Sequence, residues 1–242
     1  MGCYNDDVLY IHIPKTGGTS IKTWLFDHGE GFEGHDSRDP AKDSVFPIGH
    51  IPMRDIERFT GRPLTSWKLI LAVLRDPYEQ QLSQWVFWRD RYARMMYRGS
   101  DGQLYRKTQP YHIHDICAAS HPTIETWLAD PGSDFRIWYE ARHGNRPNHS
   151  TRSEDLGGYY HWWLTVDGEL PGPLQIVDIA EIDEKLPTML APHVGEMPPL
   201  PRLNKGPGRA DPVEYYTPEA AALVERKFSW AFDQIYTPWS ES

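Results

Sequence analysis

Trp67 to Leu74 reads Trp-Lys-Leu-Ile-Leu-Ala-Val-Leu, a nearly unbroken apolar run that stops at Arg75-Asp76-Pro77. Without polar alternation such a run suits a parallel strand buried on both faces, not one with a wet side. The expected fold class is therefore α/β, with a central, mostly parallel sheet flanked by helices. Asp76 suits a helix N-cap and Pro77 the first helical position, so a helix is expected to start at once and run through Ser83 and Trp85 to about Arg94. Arg75 then stands at the C-terminal end of a core strand, where open α/β sheets bind ligands.

The N-terminal stretch Tyr10-Ile11-His12-Ile13-Pro14-Lys15-Thr16-Gly17-Gly18-Thr19-Ser20 reads as strand, tight loop and helix start. Val8 to Ile11 and Ile13 are β-formers, and Pro14 ends the run. Gly17 and Gly18 allow a sharp turn and close approach to a ligand. Thr19 or Ser20 is expected to cap a helix whose apolar positions include Ile21, Trp24 and Leu25. Amides at a helix N-terminus, beside Lys15 and the hydroxyls of Thr16, Thr19 and Ser20, suit a phosphate or sulfate group. The plain alternative is a strand–turn–helix joint with no ligand. Lys15 precedes Gly17 and Gly18, whereas a Walker A loop places its lysine after the second glycine. A nucleoside triphosphate is therefore not the first expectation.

Two later elements complete the expected core. Leu174 to Ile179 reads as a strand, followed by a helix from Glu181 to Leu190 interrupted near Pro187. Thr217-Pro218-Glu219 is a strong helix start. Leu223, Val224, Phe228, Ala231, Phe232 and Ile235 come after it at helical spacing.

Pro-Lys-Thr-Gly-Gly-Thr-Ser after an Ile-His-Ile strand resembles the 5′-phosphosulfate loop of sulfotransferases that use 3′-phosphoadenosine 5′-phosphosulfate (PAPS). The two-glycine form is similar to the carbohydrate branch, especially the heparan and uronyl 2-O-sulfotransferases and their bacterial relatives. The resemblance implies a P-loop-like three-layer domain and assigns roles. Lys15 to Ser20 would hold the phosphosulfate, with Lys15 stabilising the departing bridge oxygen. His50, in the Gly49-His50 pair, matches the catalytic base. Arg75 and Ser83 match the Arg-Asp-Pro…Ser motif for the 3′-phosphate, with Gln80 where many relatives carry a second arginine. Lys205 and Arg209, in the Pro- and Gly-rich stretch 198–212, match a late basic loop over the adenosine. Relatives end in a helix like that at Thr217, packed on the sheet. The likeness does not cover about residues 98–172, which is where such relatives bind acceptor.

Composition narrows the partners. With 242 residues the chain suits one α/β domain over 1–242. Aromatic content of 13% and ten Trp argue against disorder. A net charge of −9 disfavours nucleic acid and offers no broad basic face for a long sulfated polymer. Two cysteines, Cys3 and Cys117, make no disulfide framework. The first core strand arrives within about ten residues with no leader pattern, and no apolar run nears the roughly 18 residues of a span. The expectation is a soluble, cytoplasmic protein with no membrane partner.

Between the landmarks, Asp27–Lys42 and Gly99–Pro110 read as surface loops, and Ile113, Ile116, Ile124, Trp127 and Leu128 as apolar points of insert helices. His112, His114, Asp115, Cys117 and His121 lack any zinc spacing, so no metal is expected. Asp130 to Gly158 reads as a mobile surface segment. There Arg142, His143, Arg146, His149 and Arg152 are solvated or meet an anionic acceptor. The functional expectation is transfer of a sulfuryl group from PAPS to a hydroxyl or amine of a carbohydrate or small molecule, leaving 3′-phosphoadenosine 5′-phosphate. Alternatives are a nucleotide-dependent phosphotransferase and a non-catalytic PAPS-binding protein.

Overall fold

The computed structural model describes residues 2–34, 49–98, 104–106, 121–143, 158–203 and 212–239. These form two compact units, one from Met1–Asp76 with Tyr160–Arg209, the other from Pro77–Tyr159 with Ala210–Ser242. Among the described residues no helix is long and apolar enough to cross a membrane.

The first unit is built on strands β1 (Cys3–Tyr4), β2 (Val8–Ile11), β3 (Glu33–Gly34), β4 (Leu69–Leu74) and β7 (Leu174–Asp178). Their spatial order is β3-β1-β2-β4-β7. Pairings β2–β4 and β4–β7 are parallel, with Ile11 opposite Ala72 and Leu74 opposite Asp178. Pairings β1–β2 and β1–β3 are antiparallel. The sheet is thus mixed: the expected parallel character holds for β2, β4 and β7, and two-residue strands add an antiparallel edge. Such short strands carry too little periodicity to be read beforehand.

All six residues of β4 and all four of β2 are buried. Leu69, Leu71 and Val73 share one core face with Val8 and Tyr10, packed by Ile21, Trp24 and Leu25 of α1 (Gly18–His28) and by Ile182, Leu186 and Leu190 of a later helix, Ile182–Val194. Ile70, Ala72 and Leu74 point to the opposite face and are equally dry. Helix Ile182–Val194 runs unbroken through Pro187 and Pro192, where a break near Pro187 was expected. The carbonyls those prolines leave without an amide belong to Asp183 and Thr188. Both residues are exposed, so water can serve them, while Leu186 and Leu190 hold both halves to the sheet.

The short helix α2 (Ile56–Thr60) also lies in this unit; α3 (Pro77–Met95) opens the second. There β5 (Met96–Arg98) and β6 (Leu104–Arg106) make an antiparallel pair, with β6 inside the Gly99–Pro110 stretch expected to be loop. Helices α4 (Ile124–Ala129) and α5 (Phe135–His143) come next, and the unit boundary falls at the start of α6 (Tyr159–Leu164). Helix Ile182–Val194 is α7, and the chain closes with α8 (Pro218–Lys227) and α9 (Ser229–Gln234). Thr217 caps α8 by accepting from the Ala220 amide. The expected single terminal helix divides at Phe228, and within the second unit α8 packs against α4 and α3.

Helix α5 lies within the stretch expected to be a mobile surface segment. It is anchored by Phe135 and Tyr139 and by a dry ion pair in which Arg136 Nη2 donates to Asp134 Oδ2 at 2.8 Å. Lys227 stands 3.9 Å from the same carboxylate and donates to Gln81 Oε1. Gln80 is fully buried and donates to Gln84. Local composition marks charged residues as surface and cannot announce that they will be paired in the interior.

If β4 is dry on both sides, Ile70→Ala and Leu71→Ala should each lower stability by about 2–5 kcal/mol. Urea titration of the two variants checks this; a much smaller loss for Ile70→Ala would mean its face is open.

Candidate functional site

The site lies where β2 and β4 end side by side. Leaving β2, the chain turns through Ile13-Pro14-Lys15-Thr16. Pro14 succeeded by a residue with positive φ is the type II turn pattern, which ordinarily asks for glycine in the third place. Here that place is held by Lys15, at φ 67. The Thr16 hydroxyl closes the turn from inside, donating to the Ile13 carbonyl at 3.0 Å. That hydroxyl is buried and part of the scaffold.

The two glycines have different neighbours. Gly17 has φ 82 and is the N-cap of α1, and a Cβ there would sit 3.1 Å from Ile179 Cδ1. Gly18, the first helical residue, lies directly against the His12 ring, and a Cβ there would overlap it. No side chain caps α1, although Thr19 or Ser20 was expected to do so. With the turn completed at Gly17, both residues fall inside the first helical turn instead. The Gly17 carbonyl accepts from Ser20 and Ile21, so the Gly18 and Thr19 amides have no acceptor within the helix. Thr19 is exposed. Ser20 Oγ accepts from the Leu203 amide at 3.2 Å, and Arg202 pairs with Asp183, which ties the 201–203 segment to α1 and α7.

Arg75 comes directly after β4. Its backbone is braced by Tyr160, whose hydroxyl donates to the Arg75 carbonyl at 2.6 Å and accepts from its amide at 3.3 Å. Burial, and then the charge of Arg75, push the Lys15 ammonium down to about 8. Two cations thus share the C-terminal ends of neighbouring parallel strands, beside a helix N-terminus.

His50 adds a different chemistry. Its Nδ1 lies 2.9 Å from the His12 carbonyl oxygen. A carbonyl can only accept, so the proton of a neutral ring sits on Nδ1 and the lone pair on Nε2. The ring lies 4.2 Å from the His12 ring and 6.4 Å, edge-on, from that of Trp163. His12, Tyr160 and Trp163 were not singled out from sequence. His12 carried one signal, a polar side chain sharing a strand face with Tyr10 in a dry run; the other two are distant in sequence and carried none.

Lys15, Thr16, Gly17, Gly18, Thr19, Ser20, His50 and Arg75 therefore all fall in the first unit. Ser83 is half-buried on α3 in the second. Lys205 and Arg209 lie outside the described residues, as do Arg146, His149, Arg152, His112, His114, Asp115 and Cys117. Among the described residues no three His, Cys, Asp or Glu side chains are grouped to hold a metal ion. The donor set of Lys15, Arg75, two amides and the Thr19 and Ser20 hydroxyls fits a tetrahedral oxyanion.

Lys15 pays twice for its place, in positive φ and in lost hydration. Lys15→Gly should therefore stabilise the ligand-free protein by about 1–2 kcal/mol while removing anion affinity. Urea unfolding without added anion checks the first part; a destabilised variant would show that the lysine stem supports the turn. Set against family models, curated proteins and solved structures, the chain matches none.

Proposed function

We propose that the chain is a sulfotransferase that moves a sulfuryl group from PAPS to a hydroxyl or amine of a carbohydrate or small-molecule acceptor. In this reading the parallel strands belong to a P-loop-like three-layer core. The observation that carries the proposal is the combination of the cationic Lys15–Arg75 turn with a histidine whose tautomer is fixed. An anion cradle alone serves many ligands; a neighbouring imidazole whose neutral form carries its lone pair on Nε2 adds what an attacking alcohol needs.

When bound, PAPS supplies an activated sulfuryl group. The Gly18 and Thr19 amides, with the Thr19 and Ser20 hydroxyls, orient the 5′ end. Lys15 places its positive charge where negative charge grows on the leaving side. Arg75 is suited to a phosphate by its forked guanidinium, and the Tyr160 brace fixes the backbone from which it projects. His50 Nε2 takes the acceptor proton while Nδ1–H keeps its bond to the His12 carbonyl, so the ring stays oriented as it becomes charged. Lys205 and Arg209 complete the proposed set for the nucleotide end.

Calorimetry with 3′-phosphoadenosine 5′-phosphate against ATP–Mg²⁺ tests the assignment. The expected result is binding of the bisphosphate without metal; preferential ATP–Mg²⁺ binding would sink it in favour of a phosphotransferase. The same titration has a pH signature. Without a bound anion Lys15 loses its proton at about 8, whereas phosphate monoesters are fully ionised above about pH 7. A bound anion favours the protonated amine, so affinity is near its maximum at about pH 7 and should fall up to tenfold per pH unit above 8. Constant affinity to pH 9.5 would remove Lys15 from the contact. With an acceptor that supports turnover, His50→Ala should keep bisphosphate affinity and lose about 10²–10⁴ in rate; undiminished turnover would exclude His50 as base.

A further inference from the structure

We propose that His12 is the positioning residue of this site: it joins the base, His50, to the anion-binding turn, so that occupancy of the turn is felt at the His50 ring. The inference rests on the anion-site reading above and concerns how its two halves communicate.

His12 sits in the stretch Val8–Ile13, whose other members are Val, Leu, Tyr and Ile. It is only 7% exposed. Placing an imidazole in such a run costs desolvation that an aliphatic residue would avoid, so packing alone does not explain it. Three contacts do distinguish it. Its ring fills the space beside Gly18 so completely that no β-carbon fits there. The same ring lies 4.2 Å from that of His50, inclined at 49°. Its carbonyl receives the His50 Nδ1 proton. Residue 12 therefore touches the base through both side chain and backbone, and touches the first helical residue of α1 through its side chain.

The row is closed at both ends. Tyr10 stacks behind His12 at 6.2 Å and 19°, and Trp163 stands beyond His50 at 6.4 Å and 70°. The Gly18 amide is one of the donors an oxyanion would draw on. Any shift of Gly18 toward an anion moves the surface on which the His12 ring rests, and close-packed neighbours transmit such shifts without slack. His50 is the next ring in line.

The full chain labelled with ¹⁵N-histidine, titrated with inorganic sulfate and separately with 3′-phosphoadenosine 5′-phosphate, reads this directly. In the wild type, the His12 and His50 ring resonances should move together on the saturation curve that calorimetry gives. In His12→Leu, binding should stay within a few fold and the His50 response should fall by at least half, because the amides, Lys15 and Arg75 remain while the linking ring is gone. His12→Gln takes its place if the leucine variant does not fold. Binding with His50 unmoved in the wild type, or with its full response kept in the variant, overturns the inference and leaves the anion site standing. Absence of binding by both anions withdraws the anion site and the inference together.

Discussion

Two positive charges held at the same ends of neighbouring parallel strands set the terms for the rest of the first unit. Parallel register puts the exits of β2 and β4 side by side, so the residues leaving one strand must coexist with those leaving the other. Lys15 stands beyond the first exit and Arg75 beyond the second, and each makes the other's charge more costly. The lysine records the cost as an ammonium that gives up its proton near 8. Such an arrangement persists only on a framework that cannot relax away from it. The dry strands supply that framework, with Tyr160 fixing the Arg75 backbone and Thr16 closing the turn from inside.

The same constraint explains why the glycines occur as a pair. Gly17 is needed for a backbone direction: the chain must pass through positive φ to aim α1 at the sheet end. Gly18 is needed for space, because the His12 ring occupies the volume of a side chain. The two requirements are independent. An alanine at the first costs backbone strain of about 1–2 kcal/mol; at the second it forces a ring out of a packed row.

These distinctions bear on how much could be read from the chain beforehand. Strands β2, β4 and β7, and the existence of a tight loop and a helix after β2, were legible because each announces itself locally, through an apolar run, a proline or a glycine pair. The placement of Arg75 at a sheet end came from the Arg-Asp-Pro boundary. The cap of α1 was misplaced because Thr19 and Ser20 fit a cap by type, while the positive φ of Lys15 and Gly17 lets the turn finish earlier. Tyr160 was invisible for another reason: its bond to Arg75 spans 85 residues, and nothing in its neighbourhood marks it. Asp134 and Arg136 misled, since a charged, proline-containing stretch reads as surface until its ion pair is found in the interior.

The Lys15–Arg75 pair and the Asp134 grouping also differ in kind, which helps to separate scaffold from site. In the second unit Asp134 faces both Arg136 and Lys227. The interior cations have a carboxylate between them, so the grouping is largely satisfied by protein atoms and needs no ligand to be stable. In the first unit Lys15 is depressed by burial and by a second cation, the opposite electrostatic sense. A bound oxyanion would reverse that shift, restoring the lysine charge and offsetting the like-charge repulsion in one step. Binding energy there would arise in good part from relief of a cost already built into the folded chain, a cost that the carboxylate-centred grouping of the second unit does not carry.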